Sequence, residues 1–229
     1  MKKFIIIMLV SIGVVGGVIL IKNGKTSAPA NPTAHIFGTA STGVKVVEYA
    51  DFQCPGCAAF FPIFEQVKAK YKDQVSFQFV HFPLSQLHAN AQSAHRAAQA
   101  ASNQDKFWEM HDLLYQNQKS WSSSTSAALI FEGYATQLGL DVARYKIDFA
   151  SANTNSIIQA DIKTGQALKV TGTPTFFVDG KQVEDNNTIS TLDKFSALID
   201  AEILAKTGKP ATVNTNIIPA TITPSPSGQ

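Results

Sequence analysis

The stretch Val44-Lys45-Val46-Val47-Glu48-Tyr49 is β-branched and almost continuously apolar, the pattern of a strand buried at the centre of a sheet. The run from Ala58 to Val67 then carries apolar residues at helical spacing, continuing to about Tyr71. Pro62 within it predicts a kink rather than an end. Val75-Ser76-Phe77-Gln78-Phe79-Val80 alternates apolar and polar positions, as a half-buried strand does. Strand, helix and strand in this order make a βαβ unit, whose right-handed crossover sets the two strands parallel. The helix N-terminus falls at the carboxyl end of the first strand, where open α/β sheets carry their sites.

From Leu87 to about Lys169 the pattern is helical. The Ala-rich run Ala89–Ala100 is a strong helix former, and Phe107–Leu114 is amphipathic. Ser122–Ser126 reads as a loop that ends in an N-cap for a helix through Leu138, closed by Gly139. Two further helices are expected at Leu140–Tyr145 and Thr154–Leu168, and the aromatic residues of this region read as core. Strand chemistry returns at Val170–Val183, where Asp179-Gly180 between two apolar runs signals a hairpin. Pro174 opens the first of those strands, a position that proline tolerates. A last helix runs from Leu192 to about Lys206.

Composition adds limits. The 229 residues carry a formal net charge of +2 with 16% charged residues, and no Lys/Arg cluster marks a nucleic-acid-binding face. Met1-Lys2-Lys3 precedes an uncharged, mostly aliphatic run from Phe4 to Ile21. That run is short for a spanning helix and long for a signal-peptide core, so a signal anchor at 1–21 and a cleaved signal peptide both stand. The distance to Ala28-Pro29-Ala30 favours the anchor, and the lysines favour a cytoplasmic N-terminus. Either way the rest of the chain is expected outside the cytoplasm. Residues 22–40 read as a tether whose end, Asn31–Gly38, packs as an extended segment at the domain edge; 41–206 as the folded domain, with a helical insertion at about 85–169; and 207–229 as a disordered tail.

The chemistry lies in the only two cysteines, Cys54 and Cys57, placed where strand gives way to helix. A thiolate at a helix N-terminus is stabilised by unpaired N–H groups and the helix dipole, so Cys54 would be a reactive, exposed attacker. Cys57, nearly one turn further on, could close a disulfide with it. A purely structural disulfide would close too short a loop to stabilise much. A zinc site lacks a second cysteine pair, and the five histidines show no ligand spacing. No metal or cofactor is expected beyond the redox-active pair itself. Glu48 reads either as an edge residue facing water or as a buried carboxylate with a raised pKa.

These elements, with Val47–Cys57, Phe82-Pro83-Leu84 followed by His88-Ala89-Asn90-Ala91, Phe107-Trp108-Glu109-Met110-His111 and Gly172-Thr173-Pro174-Thr175-Phe176, resemble the DsbA-like thioredoxin-fold disulfide oxidoreductases, most closely the membrane-tethered or lipid-anchored bacterial forms. The resemblance spans about Ala34 to Lys206. It implies an α/β thioredoxin fold with an inserted helical subdomain, preceded by an N-terminal membrane anchor. It implies Cys54 as nucleophile, Cys57 as resolving thiol and Glu48 as a buried acid serving Cys57. Pro174 becomes a cis-proline beside the cysteines, with Thr173 presenting its backbone to an extended substrate. The implied activity is disulfide formation in reduced secreted or surface proteins, with re-oxidation by a quinone-linked DsbB- or VKOR-like membrane partner. A reductase or isomerase, or a peptide-binding chaperone module, are the other readings. The dipeptide Pro55-Gly56 departs from strongly oxidising members, because Gly56 puts no charge beside the thiolate.

Overall fold

The computed structural model describes residues 33–212. The apolar run 4–21, most of the expected tether and most of the expected tail lie outside the described residues. No helix among the described residues is long and apolar enough to cross a membrane.

Five strands form one sheet in the order β1-β3-β2-β4-β5: β1 His35–Phe37, β2 Val44–Ala50, β3 Val75–His81, β4 Thr175–Val178 and β5 Lys181–Gln182. β2 and β3 are parallel, joined by helix α1 (Pro55–Tyr71), and the other pairs are antiparallel. Strand β1 lies inside the segment expected to be tether. Its residues pair with Phe77–Phe79, so the folded unit begins before residue 41. The β4–β5 turn is Asp179-Gly180, with φ of 47° and 82°, the left-handed pair that a two-residue hairpin needs.

Alternation along β2 sends Val44 and Val46 to one face, where α1 and the final helix α8 (Leu192–Thr207) bury Phe64, Val67, Phe176, Phe195 and Ile199 against them. Glu48 follows in the same register, opposite Phe79 of β3 and Phe176 of β4. On the other face Tyr49, Val80 and Phe177 pack beneath helix α7 (Ala152–Ala167). Gly165 of α7 permits that contact, since a Cβ there would stand 2.7 Å from the Phe82 ring.

Between β3 and β4 the chain forms the helical subdomain: α2 Ala91–Ser102, α3 Phe107–Gln116, α4 Gln118–Trp121, α5 Ala127–Gln137, α6 Val142–Ala150 and α7. Helix α6 starts later than the Leu140–Tyr145 pattern suggests, because Asp141 caps it by accepting from the Arg144 N–H at 3.0 Å, and it runs on to Ala150. The subdomain core runs continuously from Trp121, Phe131 and Met110 into Phe52, Phe61 and both cysteines. After α8, Gly208 caps the helix in the left-handed conformation. Gln74 then holds Thr212 by two hydrogen bonds of 2.5 and 2.8 Å, and Ala211 packs against the core, so the chain just past α8 is tied back to the domain.

Candidate active site

The sheet turns into α1 through Asp51-Phe52-Gln53-Cys54. The Cys54 N–H donates to the Asp51 carbonyl at 3.0 Å, and extended backbone angles at Cys54 make it the N-cap. Pro55 occupies the first helical position, where its missing N–H is no loss. Both cysteines are reduced. Cys54 is not exposed as expected: only 8% of its surface is accessible. Its thiol donates to the Thr173 carbonyl at 3.3 Å, and the Thr173–Pro174 bond is cis. A Cβ at Gly56 would lie 3.4 Å from Pro174 Cδ and 3.6 Å from Cys54 Sγ, so Gly56 leaves the sulfur its remaining opening.

The two thiols differ in acidity. A hydrogen bond from Cys57, then Thr173 and the N–H groups of Cys57 and Gly56, outweigh burial and lower Cys54 to about 5. Burial pushes Cys57 well above the usual thiol range, and Cys54 and Glu48 add to that push. Cys54 is therefore a thiolate at neutral pH, while Cys57 keeps its proton.

Glu48 is buried, which decides between its two readings. Burial raises it to about 8, with the Lys68 charge opposing and Glu65 and Cys54 reinforcing the rise. Lys68 is itself buried, with its ammonium 2.6 Å from Glu65 and 4.1 Å from the centre of the Trp108 ring. Glu65, His111 and Asp112 bring one potential ligand atom each within 4.8 Å of one another, but the Lys68 ammonium already supplies the cation beside Glu65.

Pattern and spacing missed a second layer of residues. Asp51 is fully buried, and its carboxylate accepts the N–H of Gln53 at 2.8 Å, that of Leu84 at 2.9 Å and His88 Nδ1 at 2.7 Å. Burial alone would raise its pKa, but His95, His88 and the Leu84 N–H hold it at about 2. Behind Asp51, His95 Nδ1 and His81 Nδ1 lie 2.7 Å apart. His81 and His35 both reach Gln99 Oε1, at 3.3 and 3.0 Å. Burial lowers His35 to about 4 and carries His81 and His95 down as well, so these rings are neutral.

Side-chain amides clamp the same turn from the subdomain. Gln118 Nε2 donates to the carbonyls of Phe52 and Cys54 at 2.8 and 3.0 Å. Gln53 receives the Asn90 N–H at 2.7 Å and donates to the Ser122 carbonyl at 2.7 Å. Asn90 Nδ2 meets the carbonyls of Trp121, Ser122 and Ser124. The only sequence signal for this layer was that Asp51, Gln53, His88 and Asn90 lie within recognisable motifs, which carries no information on their partners.

A reduced Cys-x-x-Cys at a helix N-terminus, beside a cis Thr-Pro bond and below a helical insertion, defines a DsbA-like thioredoxin-fold protein. A profile of the thioredoxin family matches residues 30–201, and the chain belongs to that family. Among solved structures, BdbD from Bacillus subtilis superposes with a TM-score of 0.65 at 20% identity, covering 76% of this chain and 97% of that one. Wolbachia pipientis alpha-DsbA1 gives 0.62 at 20% identity, covering 77% and 96%. The sequence is also 34% identical over 184 residues to the Na(+)/H(+) antiporter NhaA 3 of Salinispora tropica, covering 79% of this chain and 27% of that protein. The Na(+)/H(+) antiporter NhaA 1 of Salinispora arenicola is 36% identical over 165 residues, covering 72% and 24%. The chain thus spans about a quarter of the length of the curated relatives it matches.

Proposed function

We propose that this protein is an extracytoplasmic thiol:disulfide oxidoreductase that works as an oxidase, passing the Cys54–Cys57 disulfide to reduced secreted or surface proteins. The observation that carries the reading is the unequal pair: Cys54 lowered to about 5 and Cys57 raised well above the thiol range. A thiolate of low pKa is a good leaving group, so a mixed disulfide at Cys54 is readily released to a second substrate thiol, and the reduced protein is the favoured product. Thr173, whose carbonyl faces Cys54 Sγ, and Pro174 would receive the extended substrate backbone. Glu48, a neutral acid near pH 7, would exchange a proton with Cys57. The apolar run 4–21 would hold the domain at the membrane, near a quinone-linked partner that re-oxidises it.

The uncharged Gly56 supports a second reading, a tethered reductase. Equilibration of the full-length chain with a graded glutathione buffer separates them, since 30 mV corresponds to about 1.4 kcal/mol. A potential well above the roughly −270 mV of thioredoxin is expected. A value at or below it would overturn the oxidase and leave the reductase.

A further inference from the structure

Helix α7 covers only part of the sheet face on which it packs. It ends at Ala167, and beneath that end a cavity of about 300 Å³ opens to solvent between helix and sheet. Val47, Tyr49, Val80 and Phe177 line its floor, and Leu168, half exposed, stands at its upper rim. Lys45 and Gly180 mark the lower end, where β2 begins and the β4–β5 hairpin turns. The floor continues sideways in register: Phe177 pairs with Val47, Val47 with Gln78, and Gln78 with Ile36, which is 48% exposed. Burying that apolar row would add stability that contact with water forgoes.

The chain itself passes the lower end of this cavity. Near the end of α8, Lys206 Nζ donates to the Gly43 carbonyl at 2.7 Å and meets the Asp179 carboxylate at 2.6 Å. The backbone then crosses the foot of the sheet to Thr212, whose N–H and carbonyl are both held by the Gln74 amide. Gln74 immediately precedes β3 and stands four residues before Gln78, which also lines the cavity. Four strand residues span roughly 13 Å and five extended residues reach roughly 17 Å, so a segment leaving Thr212 arrives at the cavity near residue 217. Ile217-Ile218-Pro219 occupies that place in the sequence, and Ile222 follows. Proline restricts Ile218 to extended backbone, the form that lies along a groove floored by strands. Segments that stay in water are typically charged and poor in aliphatics, whereas residues 213–229 hold no charged side chain. Laying them on this face therefore desolvates no charge of their own.

We propose that Ile217 and Ile218 of the chain's own C-terminal segment fill this cavity, with residues 213–222 folded back over the sheet face below α7. Apolar burial drives the contact, and the hold of Gln74 on Thr212 makes it intramolecular, which raises the effective concentration of the segment at the cavity. A second copy of the chain or a lipid surface is not delivered to the face in this way.

The test uses the full-length chain with Cys54→Ser and Cys57→Ser, so that only introduced thiols react. Ile217→Cys paired with Leu168→Cys should close a disulfide within one chain under a mild oxidant. Ile217→Cys paired with Leu129→Cys, an exposed leucine of α5, should close about tenfold more slowly for want of a docked tail. Adding Ile218→Asp should slow the first pair by a similar factor, since a charge in the cavity is costly. Equal rates for the two pairs would overturn the proposal. Disulfides that join two chains would assign the face to a second copy and overturn it as well. If phosphatidylglycerol vesicles, and not the tail, protect Leu168→Cys from a maleimide, the face belongs to a lipid surface and the proposal falls. A chain ended after Thr212, with both native cysteines, should unfold at lower urea than the full-length chain while its rate of thiol–disulfide exchange stays the same. An unmoved urea midpoint would contradict the docking.

Discussion

Gln118 Nε2 donates to the carbonyl of Cys54 at 3.0 Å, a contact that crosses from the helical subdomain to the first cysteine of the Cys-x-x-Cys. The same amide also satisfies the Phe52 carbonyl, so one side chain fixes two peptide groups of the turn. Gln118→Met keeps the volume and removes both donors; it should cost about 1–2 kcal/mol in urea unfolding. Gln118→Glu sets an acceptor and a charge against those carbonyls and should also raise the Cys54 pKa. Equal alkylation profiles for the Glu variant and the parent would argue against the clamp.

Alkylation by iodoacetamide should follow a single group titrating near 5, and Cys54→Ser should abolish it below pH 9. Because the folded-state pKa of Cys54 lies below its unfolded value, its thiolate stabilises the reduced fold above the ordinary thiol range. That contribution shrinks as pH falls and is gone below about 5. Reduced and oxidised chains should therefore differ more in thermal midpoint at pH 7 than at pH 4.5. A constant difference would contradict the assignment.

Burial gives Glu48 a folded-state pKa of about 8, above its unfolded value, so stability is lost as pH rises from about 4.5 to 8. Glu48→Gln should stabilise the fold at pH 8 by on the order of 2 kcal/mol. Disulfide opening should slow in the same variant because Cys57 loses its proton donor. A variant less stable than the parent at pH 8 would show that the carboxylate is better solvated than its burial implies.

Four buried histidines work in the opposite direction. His35, lowered to about 4, and His81, His95 and His111, each lowered by burial, stay neutral in the fold but protonate near pH 6.5 once unfolded. The unfolded state then binds more protons, so stability should fall as pH drops from about 6.5 to 4. Urea midpoints at pH 7.5, 5.5 and 4.5 should decline in that order. A flat series would mean that these rings are not held neutral.

Gly56→His tests the weakest point of the oxidase reading. The Cβ position sits at ordinary contact distance from Pro174 and Cys54 Sγ, so a side chain fits, and an imidazolium there would stabilise the thiolate. The equilibrium with glutathione should shift about tenfold towards the reduced protein, or roughly 30 mV. A shift towards the disulfide would show that covering Cys54 outweighs the added charge.

The placement of the Cys-x-x-Cys pair and the βαβ frame were legible because their signals are local. Alternation marks β3, helical spacing marks α1, and Cys54, Pro55 and Cys57 lie within four positions at the strand–helix junction. Asp179-Gly180 announced its hairpin for the same reason: the positive φ values it adopts are a property of those two residues. The β1 strand was not legible as a strand, since three residues carry no pattern and only pairing with Phe77–Phe79 defines it.

What the tertiary structure alone decided is the electrostatic state of the site. The alternation of β2 turns Glu48 inward, but its raised pKa comes from sheet partners Phe79 and Phe176 and from the layer that covers them. Cys54 lies 119 positions from Thr173 and 64 from Gln118, separations at which no local pattern reports on a hydrogen bond. Asp51 and His95 are ordinary residues until packing takes water away and leaves each facing particular neighbours. By itself, then, the sequence determined where the sulfurs stand on the backbone, because helix and strand preferences act between near neighbours. Folding decided which sulfur ionises, because desolvation and long-range hydrogen bonds exist only in the packed chain.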